Sequence, residues 1–355
     1  MLPNIIKMIN NQNKKIICFI LFFICLQVNM FCQKTFPTND VQENFYPIYA
    51  FTNATIYISP DNKIEKGTLI IKKNKIIAVG TEIIIPDNAI IKDLNGKYIY
   101  PSFIDLYSNY GVKENNNNGK QIKYPQYISK TKGAYGWNEA VKPYINAHDL
   151  FKIDEKKSKE LRGYGFGSVL THNTDGIFRG SGCLVTLNNK KENEIIIADQ
   201  ISSHLSLNKG KSKQIYPRSL MGTISLIKQS LLDAEWYEKG GKKEQFNLTL
   251  ESIKRLENLT QIIETNNKLD ILRVSKIAED FEIDFIIKGN GDEYQRIDEL
   301  SKLTFKYIIP VNLPKAYKIE DIYDEEKISL GKLKHWELAP YNPSLLKRKK
   351  IKFCI

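Results

Sequence analysis

Four histidines stand at positions 148, 172, 204 and 335, and they carry whatever imidazole chemistry this chain can do near neutral pH. His172 has the densest chemical setting. It follows Leu170 and Thr171 at what reads as a strand end, and the segment 171–180 sets it near Asp175 and Arg179. Such a residue either meets a ligand at the strand end or is a loop histidine satisfied by its neighbours; the second is the simpler reading. His148, His204 and His335 read as surface or capping residues, with His335 and Trp336 packing the end of a helix. No Cys-x-x-Cys pair, Cys/His zinc pattern or persuasive Ser, His and Asp spacing occurs. Two glycine-rich segments remain. Gly163, Gly165 and Gly167 run from a helix into a strand, the reverse of a dinucleotide fingerprint, and read as a helix stop. Gly289 to Asp292 follows a strand and precedes a helix, so its N–H groups could face an anion, although a plain turn is the simpler account.

The elements that must position these residues change character along the chain. Residues 49–58, 68–72, 76–79, 89–94 and 97–100 are short runs rich in Ile, Tyr and Val, separated by turn residues at 60–62, 73–75 and 95–96. They predict a small β-sandwich or curled sheet built from hairpins. From Pro101 a different regime begins. Residues 103–107 form a compact apolar strand, and 111–147 are a long loop that includes the four asparagines 115–118. Strands at 167–171, 260–264, 284–288, 307–311 and 351–355 then alternate with helices at 154–164, 219–237, 268–281, 293–303, 329–336 and 343–349. Residues 183–187 and 194–198 read as a separate strand pair. Alternation of this kind predicts a parallel α/β architecture.

Length and composition bound the rest. The chain has 355 residues, 42% hydrophobic and 26% charged, which suits two domains or one large barrel with an appendage. The formal charge of +12 does not argue for nucleic acid, because only seven of the 52 basic residues are Arg and the lysines are scattered. At the N-terminus, Lys14 and Lys15 precede an eleven-residue apolar run, 16–26, too short for a comfortable membrane span and right for a secretory signal. Cleavage near Cys32 removes Lys7, Lys14 and Lys15 and leaves a charge of +9. It leaves Cys183 and Cys354 as the cysteines, too few for a disulfide framework. The expectation is an exported protein, periplasmic or secreted, with a signal peptide over 1–32, an extended lead-in over 33–48, and no stable membrane span after cleavage.

Residues 52–56 (TNATI), 67–72 (GTLIIK) and 75–80 (KIIAVG), then Gly96 and Lys97 leading to Pro101-Ser102-Phe103-Ile104-Asp105, resemble the amidohydrolase superfamily, and within it the imidazolonepropionase-like and exported group. The resemblance covers roughly 49–355. It implies an α/β chain: an incomplete (β/α)8 TIM-type barrel over 101–355, preceded by a small β-sandwich segment over 49–100. It also implies hydrolysis of non-peptide C–N bonds by a water that zinc or a similar divalent metal activates. Family ligands lie at the C-terminal ends of barrel strands.

On that resemblance, the paired histidines of the first barrel strand fall on Tyr107 and Asn109, after Asp105. Neutral tyrosine is a poor metal ligand and asparagine a weak one. Later ligand positions fall on Glu264, with Asn266 nearby, and on Lys288. Asp105, Tyr107, Asn109, His172, Glu264 and Lys288 are therefore the candidates at the barrel mouth, and Glu264 and Lys288 could pair as charges. No metal or other cofactor is expected in this chain. It reads as an inactive or impaired relative of the hydrolases, or as a non-enzymatic ligand-binding or structural module with a small molecule as partner. Only six barrel strands are legible, the sixth ending at Ile355, and the expectation is a fragment, or a chain closed by a missing C-terminal half or by self-association.

Overall fold

The computed structural model describes residues 46–73, 75–113 and 125–355. The expected signal peptide, most of the lead-in and the Asn-rich stretch 115–118 lie outside the described residues. The chain divides into two compact units, one running through Pro101 and the other Ser102–Ile355. No described helix is long and apolar enough to cross a membrane.

The described part of the first unit is a single sheet. It contains β1 (Ile48–Ser59), β2 (Asn62–Lys72), β3 (Lys75–Gly80), β4 (Ala89–Asp93) and β5 (Tyr98–Ile99). The order is β3-β2-β1-β4, with β5 also paired to β1. Pro60 and Asp61 form a tight turn, so Ser59 pairs with Asn62 and β2 begins six residues earlier than its apolar run implies. Ala54, Ile56 and Leu69 are buried at its centre. The described strands make one sheet, the second of the two expected alternatives, and one expectation is corrected: β4 and β5 join β1 in parallel, which a hairpin cannot do.

The second unit holds an eight-stranded sheet in chain order: β6 (Phe103–Ser108), β7 (Phe166–Thr171), β8 (Phe178–Thr186), β9 (Ile196–Ser206), β10 (Thr260–Glu264), β11 (Phe285–Lys288), β12 (Lys306–Ile308) and β13 (Phe353–Cys354). Neighbours are parallel except at β8, which is antiparallel to both β7 and β9. Among the described residues the sheet is open between β6 and β13. Helices α1 (Glu155–Gly163), α2 (Leu220–Lys239), α3 (Leu248–Leu256), α4 (Lys268–Phe281), α5 (Leu330–Leu338) and α6 (Asn342–Arg348) form the crossovers. Leu226 and Ile227 of α2, Ile253 of α3 and Ile271 and Val274 of α4 pack with Ile263 and Ile287 of the sheet in the main core.

The count of six barrel strands is corrected to eight sheet strands. The first half of β8 and the second half of β9 escape a sequence reading because polar residues are buried there. Ser181, Ser202, Ser203 and His204 are all nearly inaccessible, whereas a strand is normally recognised by alternation between an apolar and an exposed face. The expected helix over 293–303 resolves into a 3-10 turn (Glu293–Arg296) and a single α turn (Ile297–Leu300). Conversely, α3 is absent from the sequence reading. Two of its four buried positions are Thr249 and Ser252, so its apolar stripe is only half visible.

Candidate functional site

Strand alternation builds the site in two layers. In β7, β10 and β11 an inward apolar residue is followed two positions later by a polar one at the C-terminal end: Leu170 then His172, Ile262 then Glu264, Ile286 then Lys288. The lower layer is apolar. Leu106, Leu170, Ile201, Ile262, Ile286, Ile308 and Cys354 line a cavity of about 330 Å³. The upper layer carries the chemistry.

At its centre is Arg179, 4% exposed. Its Nη1 donates to the Tyr107 hydroxyl at 2.7 Å, its Nε to the Gly176 carbonyl at 3.0 Å, and its Nη2 lies 2.9 Å from Glu264 Oε2. The strand geometry explains how it arrives. Phe178 pairs with Leu205 and Gly180 with His204, so Arg179 is the extra residue of a β-bulge. Bulges re-aim a side chain, and this one sends a cation among the strand ends. Gly180 makes the bulge feasible. Its φ is +84°, and a Cβ there would stand 1.8 Å from the Ile145 carbonyl oxygen.

His172 and His204 lie beneath Tyr107. Their rings stack at 3.7 Å with 7° between planes, and Tyr107 sits 4.4 Å from His172 and 5.8 Å from His204. His204 Nε2 contacts Ser202 Oγ at 2.9 Å. Both nitrogens of His172 and Nδ1 of His204 have no hydrogen-bond partner among the described residues. Burial holds both imidazoles neutral. It drives His172 well below the usual range, with the neighbouring His204 ring and the Arg179 guanidinium adding to the effect, and it pushes His204 to about 3, aided by Arg179. Burial likewise raises Tyr107, which keeps its proton.

Lys288 Nζ lies 5.4 Å from the centre of the Tyr107 ring and donates to the Gly289 carbonyl at 2.9 Å. Burial lowers its pKa against the opposing pull of Glu264, Glu293 and Asp105. Ser206 Oγ donates to Glu264 Oε2 at 3.4 Å.

Four of the six expected residues, Tyr107, His172, Glu264 and Lys288, thus come together. Asp105 instead accepts from the Tyr107 N–H, at 3.0 Å. Asn109 is exposed and lines a broad depression of about 980 Å³ with Asp105, Lys152 and Asp154. Two histidine readings are corrected. His204 is neither a surface nor a capping residue, because β9 runs on past Ala198 and carries it inward. His172 is not satisfied by its neighbours, since neither of its ring nitrogens has a hydrogen-bond partner among the described residues. Glu264 and Lys288 do sit in register on adjacent strands, but Glu264 is held by Arg179. The 289–292 segment is no anion site. Glu293 Oε1 already accepts from the N–H groups of Asn290 and Gly291, at 2.9 and 3.1 Å.

No family model and no curated protein matches the chain. Solved structures do. An amidohydrolase from Thermotoga maritima MSB8 superposes with a TM-score of 0.62 at 21% identity, covering 86% of this chain and 77% of that one. This chain folds as an amidohydrolase does. A prolidase complexed with N-methylphosphonate-L-proline covers the same shares at a TM-score of 0.41 and 12% identity.

The metal that an amidohydrolase fold implies does not fit the residues present. Among the described residues, no three His, Cys, Asp or Glu side chains gather as a metal site. The stacked imidazoles do not converge on one ion, because their lone pairs lie in two nearly parallel planes, 7° apart in tilt, with the ring centres 3.7 Å from each other. Glu264 has its charge balanced by Arg179, and Tyr107 accepts from the same guanidinium.

Proposed function

We propose that this chain is an exported amidohydrolase-fold protein that has given up metal-assisted hydrolysis and holds a small organic molecule at the strand ends. One observation carries the reading: the Arg179 guanidinium, bulged into the strand ends and bonded to both Tyr107 and Glu264. A fixed organic cation there balances the carboxylate that a metal would need, and a guanidinium cannot ionise a water as a Lewis acid does. The export half of the reading rests on Lys14, Lys15 and the apolar run 16–26.

The test is elemental analysis of the purified, dialysed full chain, together with assays on cyclic amides with and without added zinc. The expected result is substoichiometric metal and no hydrolysis above the buffer rate under either condition. One zinc retained per chain, with hydrolysis abolished by a chelator, would overturn the reading.

A further inference from the structure

At the N-terminal ends of β12 and β13 two lysines face inward, beneath the layer of apolar side chains. Strand alternation puts Lys306 on the face of Ile308 and Lys352 on that of Cys354. The two strands are adjacent and parallel, so the lysines stand side by side, one residue before the registered pair Tyr307 and Phe353. Like charges at neighbouring positions of a strand pair are destabilising, and little here offsets them. Lys306 reaches Asp284 only at 3.8 Å, with both side chains more than half exposed, so that pair is weak. Lys352 has no ion pair among the described residues.

Both lysines line the cavity of about 330 Å³. Exposed Thr260, Lys306 and Lys352 form its rim. Leu170, Ile262 and Ile308 are buried at its floor, where Tyr107 packs on the same cluster. A mouth with two unneutralised ammonium groups therefore opens onto a mainly aliphatic interior. The volume lies at the lower end of the roughly 300–1,000 Å³ of small-molecule pockets. It suits one alkyl chain and is too small for a two-chain lipid.

We propose that this cavity binds a single-chain alkyl carboxylate of medium length. The tail lies among Leu106, Leu170, Ile262 and Ile286, and the carboxylate sits between Lys306 and Lys352. Burial of the tail supplies affinity, and the paired ammonium groups give each carboxylate oxygen a charged donor. This site is at the opposite ends of the strands from Arg179. It neither uses nor requires the reading proposed above.

The experiment is isothermal titration of the full chain with hexanoate and octanoate, each kept below its micelle-forming concentration, and with 1-octanol as the uncharged comparison. Octanoate is expected to saturate one site and to bind about fifteenfold more tightly than hexanoate, the effect of two further buried methylenes. The double variant Lys306→Glu with Lys352→Glu should weaken octanoate by about tenfold or more and leave 1-octanol unchanged. Lys239→Glu, at a lysine 80% exposed on α2, should change neither. If the double variant melts early, Lys352→Gln carries the comparison, with a smaller loss expected. No saturable octanoate binding, equal affinity for the two chain lengths, or indifference to the charge reversal overturns the proposal. So does a chain that sediments as a dimer and takes up no octanoate, because a second copy then covers the cavity.

Discussion

Two buried, neutral imidazoles in face-to-face contact make His172 and His204 an acid-sensitive pair. In the folded chain His204 is depressed to about 3, and His172 is also held well below its ordinary value. An unfolded imidazole takes its proton near pH 6.5. Between these limits the unfolded state binds more protons. The stability tied to the neutral rings is therefore complete above about pH 6.5 and is lost as pH falls, at up to about 1.4 kcal/mol per pH unit for each ring. Urea midpoints should drop between about pH 7.5 and about pH 5.5, and the drop should be shallower in His172→Gln and shallower again in the double variant with His204→Gln. Equal slopes in all three chains would show that the rings are not what titrates. Part of this site was legible in the sequence. Tyr107, Glu264 and Lys288 stand where strand ends were expected, and so does His172. Arg179 and His204 were not legible. A one-residue bulge reverses the parity by which a strand is read, so Arg179 faces the side that simple alternation denies it. The trace it leaves is the pair Arg179 and Gly180, a bulky cation followed by the one residue that tolerates φ of +84°.

Within β11, neighbouring isoleucines face different worlds. Ile287 is fully buried against the helices, whereas Ile286 is only partly covered and faces the cavity. Ile287→Ala should cost about 3–4 kcal/mol, as for a fully packed core position, and Ile286→Ala about 1 kcal/mol, since little surrounding structure is left unsupported. Chemical denaturation of both variants measures the difference. Equal losses would mean that the concave face is covered in solution. Helix ends were easier to read than strand parity. Ser219 accepts from Gly222 N and caps α2, and Asn267 accepts from Leu269 N and Asp270 N and caps α4. Asn247 does the same for α3, yet that helix went unread because Thr249 and Ser252 fill half its buried face. Capping chemistry is local and survives in sequence, while burial of a small hydroxyl depends on partners far along the chain.

At the scale of the molecule, alternating strands and helices made the α/β class legible, and the superposition on the Thermotoga amidohydrolase agrees with it. The insertion of β8 against the direction of its neighbours was not legible, since nothing in a pair of short strands says that a third will join them in one sheet. That insertion has a temporal consequence. β7, β8 and β9 form a meander within residues 166–206, closed by short connections, and it already contains His172, Arg179 and His204. The pairing of β6 with β7 must close a loop over residues 109–165, and β10 and β11 come from later still. Short loops close at lower entropic cost than long ones, so local pairings lead in time. The heart of the site is expected to be assembled while Tyr107, Glu264 and Lys288 are still dispersed. Pulse-labelled hydrogen exchange during refolding should find the amides of 166–206 protected ahead of those in β10 and β11; simultaneous protection of all of them would mean that the site has no early half.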